Sequence, residues 1–313
     1  MSSFGGDLLS LLTTFRSTAN APETEAERAT HDAGSLNLSI APAALPGSAA
    51  AQIAFNQVTR TFAGSRGSVT TALENISFSV NPGEFVCIVG PSGCGKSTLL
   101  HLAAGLDRPT AGEVRVGGAL VQGPGTDRIL IFQELGLFPW LTAGENVEFG
   151  LKMAGAPKKE RRERARDYLR MVHLSKFHNS QVHELSGGMK QRVALARSLA
   201  LQPKILLMDE PFAALDAQTR DLLHDELERL WKETKATIIF VTHNVRESVR
   251  LGDRVLLMTF RPGRIKKQFR IQLPRPRHIE DSDVARASKE ILGQLREEIQ
   301  RSMTAEYSDE ENS

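Results

Sequence analysis

The chain has 313 residues, 41% hydrophobic and 24% charged, with a formal net charge of +2. That is an ordinary soluble globular balance, long enough for one large domain or two small ones, and not that of a general nucleic-acid coat. Two cysteines, Cys87 and Cys94, exclude a disulfide framework or a four-cysteine zinc site and suit a reducing, cytoplasmic compartment; no apolar run approaches the ~20 residues that cross a bilayer.

Residues 1–50 are rich in Ala, Ser, Thr, Pro and Gly. Such a stretch buries too little apolar surface to offset its ordering entropy, which predicts a disordered extension. Phe4, Leu8, Leu9, Leu11, Leu12 and Phe15 are spaced for a shared helical face, a transient helix rather than a docking one. A signal peptide does not fit, because no basic region precedes the apolar residues and Asp7 does.

From about residue 51 short apolar runs at 85–89, 129–132, 205–208, 238–242 and 255–258 alternate with helical stretches. Runs that are apolar throughout read as strands covered on both faces, as in the parallel sheet of an α/β fold. The first is followed by Gly90-Pro91-Ser92-Gly93-Cys94-Gly95-Lys96-Ser97-Thr98 and then by a helix-like Leu99, Leu100, Leu102. This G-x-x-x-x-G-K-[ST] pattern, between strand and helix, is a phosphate loop. Its glycines let backbone N–H groups curl around an anion at a helix N-terminus. Lys96 would bridge the β- and γ-phosphates, and the Ser97 hydroxyl would help hold Mg²⁺. Cys94, at a free position of the loop, reads as a small filler.

Between 143 and 184 no strand is convincing. A charged helix at 158–173 carries Glu160 before Arg164 and Asp167 before Arg170, spacings that support a solvated helix face in a helical insert. Leu185-Ser186-Gly187-Gly188-Met189 then opens another helix, with Ser186 as N-cap and two glycines that permit close approach of an anion. The run at 205–208 ends in Asp209-Glu210. Carboxylates there lie at the ligand-binding edge of a parallel sheet, where Asp209 suits a Mg²⁺ shell and Glu210 is free to orient or deprotonate an attacking water. The segment 261–277 holds seven basic and no acidic residues and reads as a solvated, proline-punctuated connection. Beyond it Val284, Ile291, Leu292, Leu295 and Ile299 pattern an amphipathic helix over 284–302, with a frayed acidic end at Asp309, Glu310 and Glu311. His31, His101, His173, His178, His183, His224 and His278 show no ligand spacing.

The order of motifs resembles the ATP-binding-cassette (ABC) ATPases, whose diagnostic LSGGQ reads Leu-Ser-Gly-Gly-Met here. Phosphate loop, Gln133 after a strand, helical insert, Ser-Gly-Gly motif, Asp209-Glu210, Leu215-Asp216 and Thr242-His243 follow one another as in that family, over about residues 52–277. The resemblance implies an α/β P-loop NTPase core with a mixed, largely parallel sheet, an N-terminal antiparallel β subdomain and a helical subdomain. The cassette would span 51–280, with its helical part at about 143–200, and 281–313 would form the C-terminal helix and tail. It also implies ATP and Mg²⁺ as ligands and a head-to-tail homodimer. Each ATP would lie between one phosphate loop and the other subunit's Ser186, Gly187 and Gly188. Gln133 would meet Mg²⁺ and the water, His243 the γ-phosphate, and Asp216 the dimer interface. Phe62, 28 positions before Gly90, matches the aromatic that stacks on adenine. Met189 in place of Gln, Asn244 in place of Asp and Ala213 in place of Ser or Gly depart from the pattern without removing a catalytic group.

Leu137-Phe138-Pro139-Trp140-Leu141-Thr142, Arg261-Pro262-Gly263-Arg264-Ile265 and Leu273-Pro274-Arg275-Pro276-Arg277 resemble the nitrate, sulfonate and taurine branch of bacterial import ATPases. That branch implies separate permease subunits docking at Trp140 and a periplasmic or lipid-anchored solute-binding protein. It implies a peripheral place on the cytoplasmic face of the inner membrane and no nucleic acid. A soluble cassette ATPase not coupled to transport is the alternative, against which stands the lack of a long coiled-coil insert.

Overall fold

The computed structural model describes residues 53–64, 68–133, 135–213 and 215–311, with side chains through residue 304. The expected extension at 1–50 lies outside them. In chain order the described elements begin with β1 (Ile53–Ala63), β2 (Val69–Val80), β3 (Phe85–Val89), α1 (Lys96–Ala104), β4 (Ala111–Val116), β5 (Ala119–Leu120) and β6 (Arg128–Ile131). Then come α2 (Ala143–Met153), α3 (Lys158–Met171), α4 (Gly187–Leu199), β7 (Ile205–Asp209), α5 (Ala217–Thr234), β8 (Thr237–Val241), α6 (Val245–Leu251), β9 (Arg254–Met258), β10 (Ile265–Arg270) and α7 (Ser282–Glu311).

Two sheets form. One is antiparallel, in the order β2-β1-β4-β5; the other runs β10-β9-β3-β8-β7-β6, parallel except for β10 at its edge. Every residue of β3, β7 and β8 is buried, as the uninterrupted apolar runs predict. Alternation along each strand divides them between two cores. Phe85, Cys87, Val89, Leu206, Met208, Ile238 and Phe240 face a core filled from α2 through α7. Val86, Ile88, Ile205, Leu207, Ile239 and Val241 face one filled by α1 and the antiparallel sheet. This is the α/β P-loop architecture with an antiparallel β layer and a helical insert between β6 and β7.

Three expectations need correction. The basic segment 261–277 is not merely a solvated connection, since β10 lies within it and pairs Phe269 with Val255. Four polar residues in six hid this strand; charged edge strands are common because they discourage further pairing. Arg277 is buried, donating from Nη1 to the carbonyls of Val249 (2.8 Å) and Gly252 (2.7 Å). It thereby satisfies the α6 C-terminus, while burial, with Arg275 beside it, lowers its pKa to about 10. Finally, α7 does not fray at Asp309 but continues through Glu311, with Val284, Ile291 and Leu295 in the core and Ile299 exposed.

Candidate functional site

The carboxyl ends of adjacent strands β3, β8, β7 and β6 converge, where ligands of parallel α/β sheets bind. After β3 the chain makes a tight loop into α1. Gly95 there has φ +98°, and a Cβ on it would come within 2.6 Å of Leu73 Cδ2 and 3.0 Å of the Ala72 carbonyl. Only glycine fits, by conformation and by space. Lys96 is buried and its ammonium folds back, donating to the carbonyls of Gly90 (2.9 Å) and Pro91 (2.8 Å). Cys94 is buried behind the loop, and burial pushes its thiol pKa up, which keeps it a filler.

Asp209 ends β7, buried. Burial raises its carboxyl pKa against a lowering hydrogen bond from Ser97. Glu210 follows in the left-handed region at φ +47°, a conformation that costs a non-glycine residue roughly 1–3 kcal/mol and marks functional turns. The twist aims its Oε2 at Nδ1 of His243, 3.0 Å away beyond the end of β8. Behind them Glu247 accepts from the Thr242 hydroxyl and binds His224 Nε2 at 2.6 Å. Arg250 donates to His224 Nδ1 at 3.1 Å, so the imidazole proton sits on Nε2 and points at Glu247.

These elements enclose a cavity of about 500 Å³, within the usual range for small-molecule sites. The loop contributes Ser92, Gly93, Gly95, Lys96, Ser97 and Thr98; Gln133, Glu210 and His243 line one side and Phe62, with Thr70 and Ala72, the other. Phe62 is 39% exposed rather than in the core, with the Arg60 guanidinium 4.4 Å from its ring centroid. Asp209, Gly90, Pro91 and Cys94 sit behind this surface as its support.

Ser186, Gly187, Gly188 and Asp216 do not line the cavity. Ser186 caps α4 by accepting from the Met189 amide (3.3 Å), and a Cβ on Gly187 would meet nothing within 4 Å. Internal packing therefore does not demand that glycine. Asp216 caps α5, and the Thr219 amide holds its carboxyl below the usual range.

Sequence reasoning missed several supporting residues. Arg197 of α4 donates to the carbonyls of Leu135 (3.0 Å) and Gly136 (2.7 Å), tying the loop after Gln133 to α4. Asn146, fully buried, accepts from the Phe138 amide (2.9 Å) and donates to the Phe138, Leu141 and Thr142 carbonyls, fixing the turn that carries Trp140. Arg261, 168 positions from Gly93, donates to its carbonyl. No spacing signals such long-range contacts.

The family model described as ABC transporter matches residues 73–213. An uncharacterized ABC transporter ATP-binding protein of Methanocaldococcus jannaschii is 50% identical over 237 residues, 76% of this chain and 89% of its own length. The chain belongs to the ABC transporter ATP-binding proteins. Within them, this ABC ATPase is 54% identical to the nitrate import ATP-binding protein NrtD of Synechocystis, over 69% of this chain and 80% of that one. It is 48% identical to the taurine import ATP-binding protein TauB of Burkholderia pseudomallei, over 72% and 86%. A dimeric ATP-binding cassette, solved in a post-hydrolysis state with ADP and Pi, matches with TM-score 0.66 and 35% identity, over 71% of this chain and all of that one. The ABC ATPase is accordingly an ATP-binding, ATP-hydrolysing protein of the nitrate and taurine import branch. No helix among its described residues is long and apolar enough to cross a membrane.

Proposed function

We propose that this ABC ATPase energises uptake of a small anion, of the nitrate, sulfonate or taurine kind, through separate permease subunits at the cytoplasmic face of the membrane. It would work as a head-to-tail homodimer served by a solute-binding protein. The observation that carries the ATPase reading is the gathering of Phe62, Lys96, Ser97, Gln133, Glu210 and His243 around one cavity. Adenine would stack on Phe62 and the phosphate chain would lie in the loop, whose amides and α1 N-terminus favour anions. Lys96 would exchange its bonds to Gly90 and Pro91 for phosphate oxygens.

Ser97, Gln133 and Asp209 offer a hydroxyl, an amide and a carboxylate, an all-oxygen donor set that suits Mg²⁺, and Ser97 already bonds Asp209. When bound, the ion neutralises charge on the β- and γ-phosphates. Glu210 would hold the attacking water and accept its proton, with its carboxylate kept in place by His243. The open face of Gly187 and the exposed Ser186 cap leave that helix end free for a nucleotide held by another copy. Support for the dimer comes from the dimeric cassette of the same fold.

Lys96→Ala tests the site. It should lose ATP binding by direct titration, because the donor nearest the β- and γ-phosphates disappears; unchanged affinity refutes the assignment.

A further inference from the structure

Arg261 stands on the turn between β9 and β10 and lines the same cavity as the phosphate loop. Its Nε donates to the Gly93 carbonyl at 2.9 Å. Neither Nη amino group is bonded to another described residue. A Cβ on Gly93, whose φ is +70°, would approach Arg261 Nη2 to 2.9 Å, so the glycine leaves room for the guanidinium as well as for the turn.

The base of this arm is fixed from three sides. The Gly263 amide donates to Ala72 and its carbonyl accepts from Glu74, both at 3.0 Å. A Cβ on Gly263 would collide with the Cys94 carbonyl, so the turn lies directly against the phosphate loop. From α7, the buried Glu298 accepts from the Phe260 amide at 3.0 Å. Burial alone would push the Glu298 carboxyl pKa up, but Lys266, 2.9 Å away, and the Phe260 amide bring it below the usual range.

The cavity therefore carries two cations, used differently. The Lys96 ammonium is occupied by loop carbonyls. The Arg261 guanidinium is tethered by one nitrogen, and both of its Nη amino groups are without a partner among the described residues, the planar fork that suits a phosphate. We propose that Arg261 is a nucleotide-binding residue of this ATPase, reaching the phosphate chain from the β9–β10 turn. The proposal rests on the ATP site argued above.

The test is isothermal titration of the full chain with ATP, ADP and AMP at low salt, for wild type, Arg261→Ala, Arg261→Lys, Arg261→Gln and Lys96→Ala, with melting temperatures alongside. Lys keeps the charge without the fork; Gln keeps a donor for Gly93 without the charge. Arg261→Ala and Arg261→Gln should both weaken ATP and ADP about tenfold, a difference of ~1.4 kcal/mol. AMP should change less, and Arg261→Lys, which keeps the charge but not the fork, should recover part of the loss. The gap should narrow as salt rises, since the group is exposed. ATP affinity within twofold of wild type in Arg261→Ala would overturn the proposal. So would rescue by Gln and not by Lys, which would make Arg261 a prop for the loop. If Lys96→Ala also binds ATP normally, the parent assignment of the site falls, and the proposal with it.

Discussion

Replacing Trp140 by Ala separates a surface that receives a partner from one that only packs. The side chain is 73% exposed, and its ring stands 5.6 Å from that of Phe138. A tryptophan buries up to ~250 Å² when covered, so roughly 180 Å² remains available to another molecule, a ceiling of about 4.5 kcal/mol at ~25 cal/mol per Å². Truncation of an anchoring tryptophan commonly costs ~2–4 kcal/mol, or about thirtyfold to a thousandfold in affinity. The turn is already ordered by the four bonds of buried Asn146, so little further ordering opposes docking. The isolated Trp140→Ala chain should melt within about 3 °C of wild type, because one exposed aromatic contact is worth roughly 1 kcal/mol. Co-expressed with its permease subunits, it should fail to co-purify and transport should stop, while basal ATPase persists. Asn146→Ala should lose both stability and co-purification, since it strands the turn's polar groups at ~1–3 kcal/mol. A marked loss of melting temperature in Trp140→Ala would make it a packing residue. Intact capture by the permease would place the docking surface elsewhere.

Glu210→Gln should bind ATP normally and hydrolyse it ~10²–10⁴-fold more slowly, with an ATP-trapped dimer visible by size-exclusion chromatography; wild-type turnover would remove Glu210 from its role. Asp209→Asn should abolish Mg²⁺-dependent hydrolysis yet raise the melting temperature of the nucleotide-free chain at pH 7, by roughly 2–4 °C for each kcal/mol relieved. The sign follows from burial. A carboxyl pKa raised by folding adds stability at low pH and loses it as pH rises through the folded value, so the gain over wild type should shrink on acidification. Arg250→Ala should destabilise by about 1–3 kcal/mol in urea denaturation, because it strands the buried His224 Nδ1 and leaves the half-exposed Asp221 and Asp225 without the guanidinium that joins all three at 2.7–3.1 Å.

Much of the candidate site was readable because its signals are local. β3 and β7 announce themselves as apolar runs, and the phosphate loop, the Ser186 cap and Asp209-Glu210 are contiguous motifs whose geometry the short-range chain imposes. Phe62 was suggested by the family resemblance, and the structure gives it an exposed face on the cavity rather than a core position. What escaped depends on partners far along the chain. β10 is a strand because β9 offers an edge, not because Lys266, Lys267 and Gln268 favour one. Arg277 is buried because the C-terminus of α6 and the segment at Leu273 meet around it. Arg197, Asn146 and Arg261 act by bonding backbone carbonyls or amides, which leave no trace in residue type or spacing.

The helical insert leaves the sheet at Ile131 and the chain re-enters it at Ile205, on the strand next door, where Ile131 pairs with Met208. To the sheet, everything between is one long crossover, leaving at the carboxyl end of β6 and returning at the amino end of the adjacent β7, where Ile205 pairs with Arg128. Such a segment is a graft waiting to be made. A chimera that takes residues 136–203 from a related cassette, with that cassette's own Ser-Gly-Gly motif, should keep hydrolysing ATP, since Lys96, Asp209, Glu210 and His243 stay on the recipient's phosphate loop and strand ends. The donor's Trp140 turn would travel with the graft, and partner choice could diverge in descent without disturbing the chemistry that powers it.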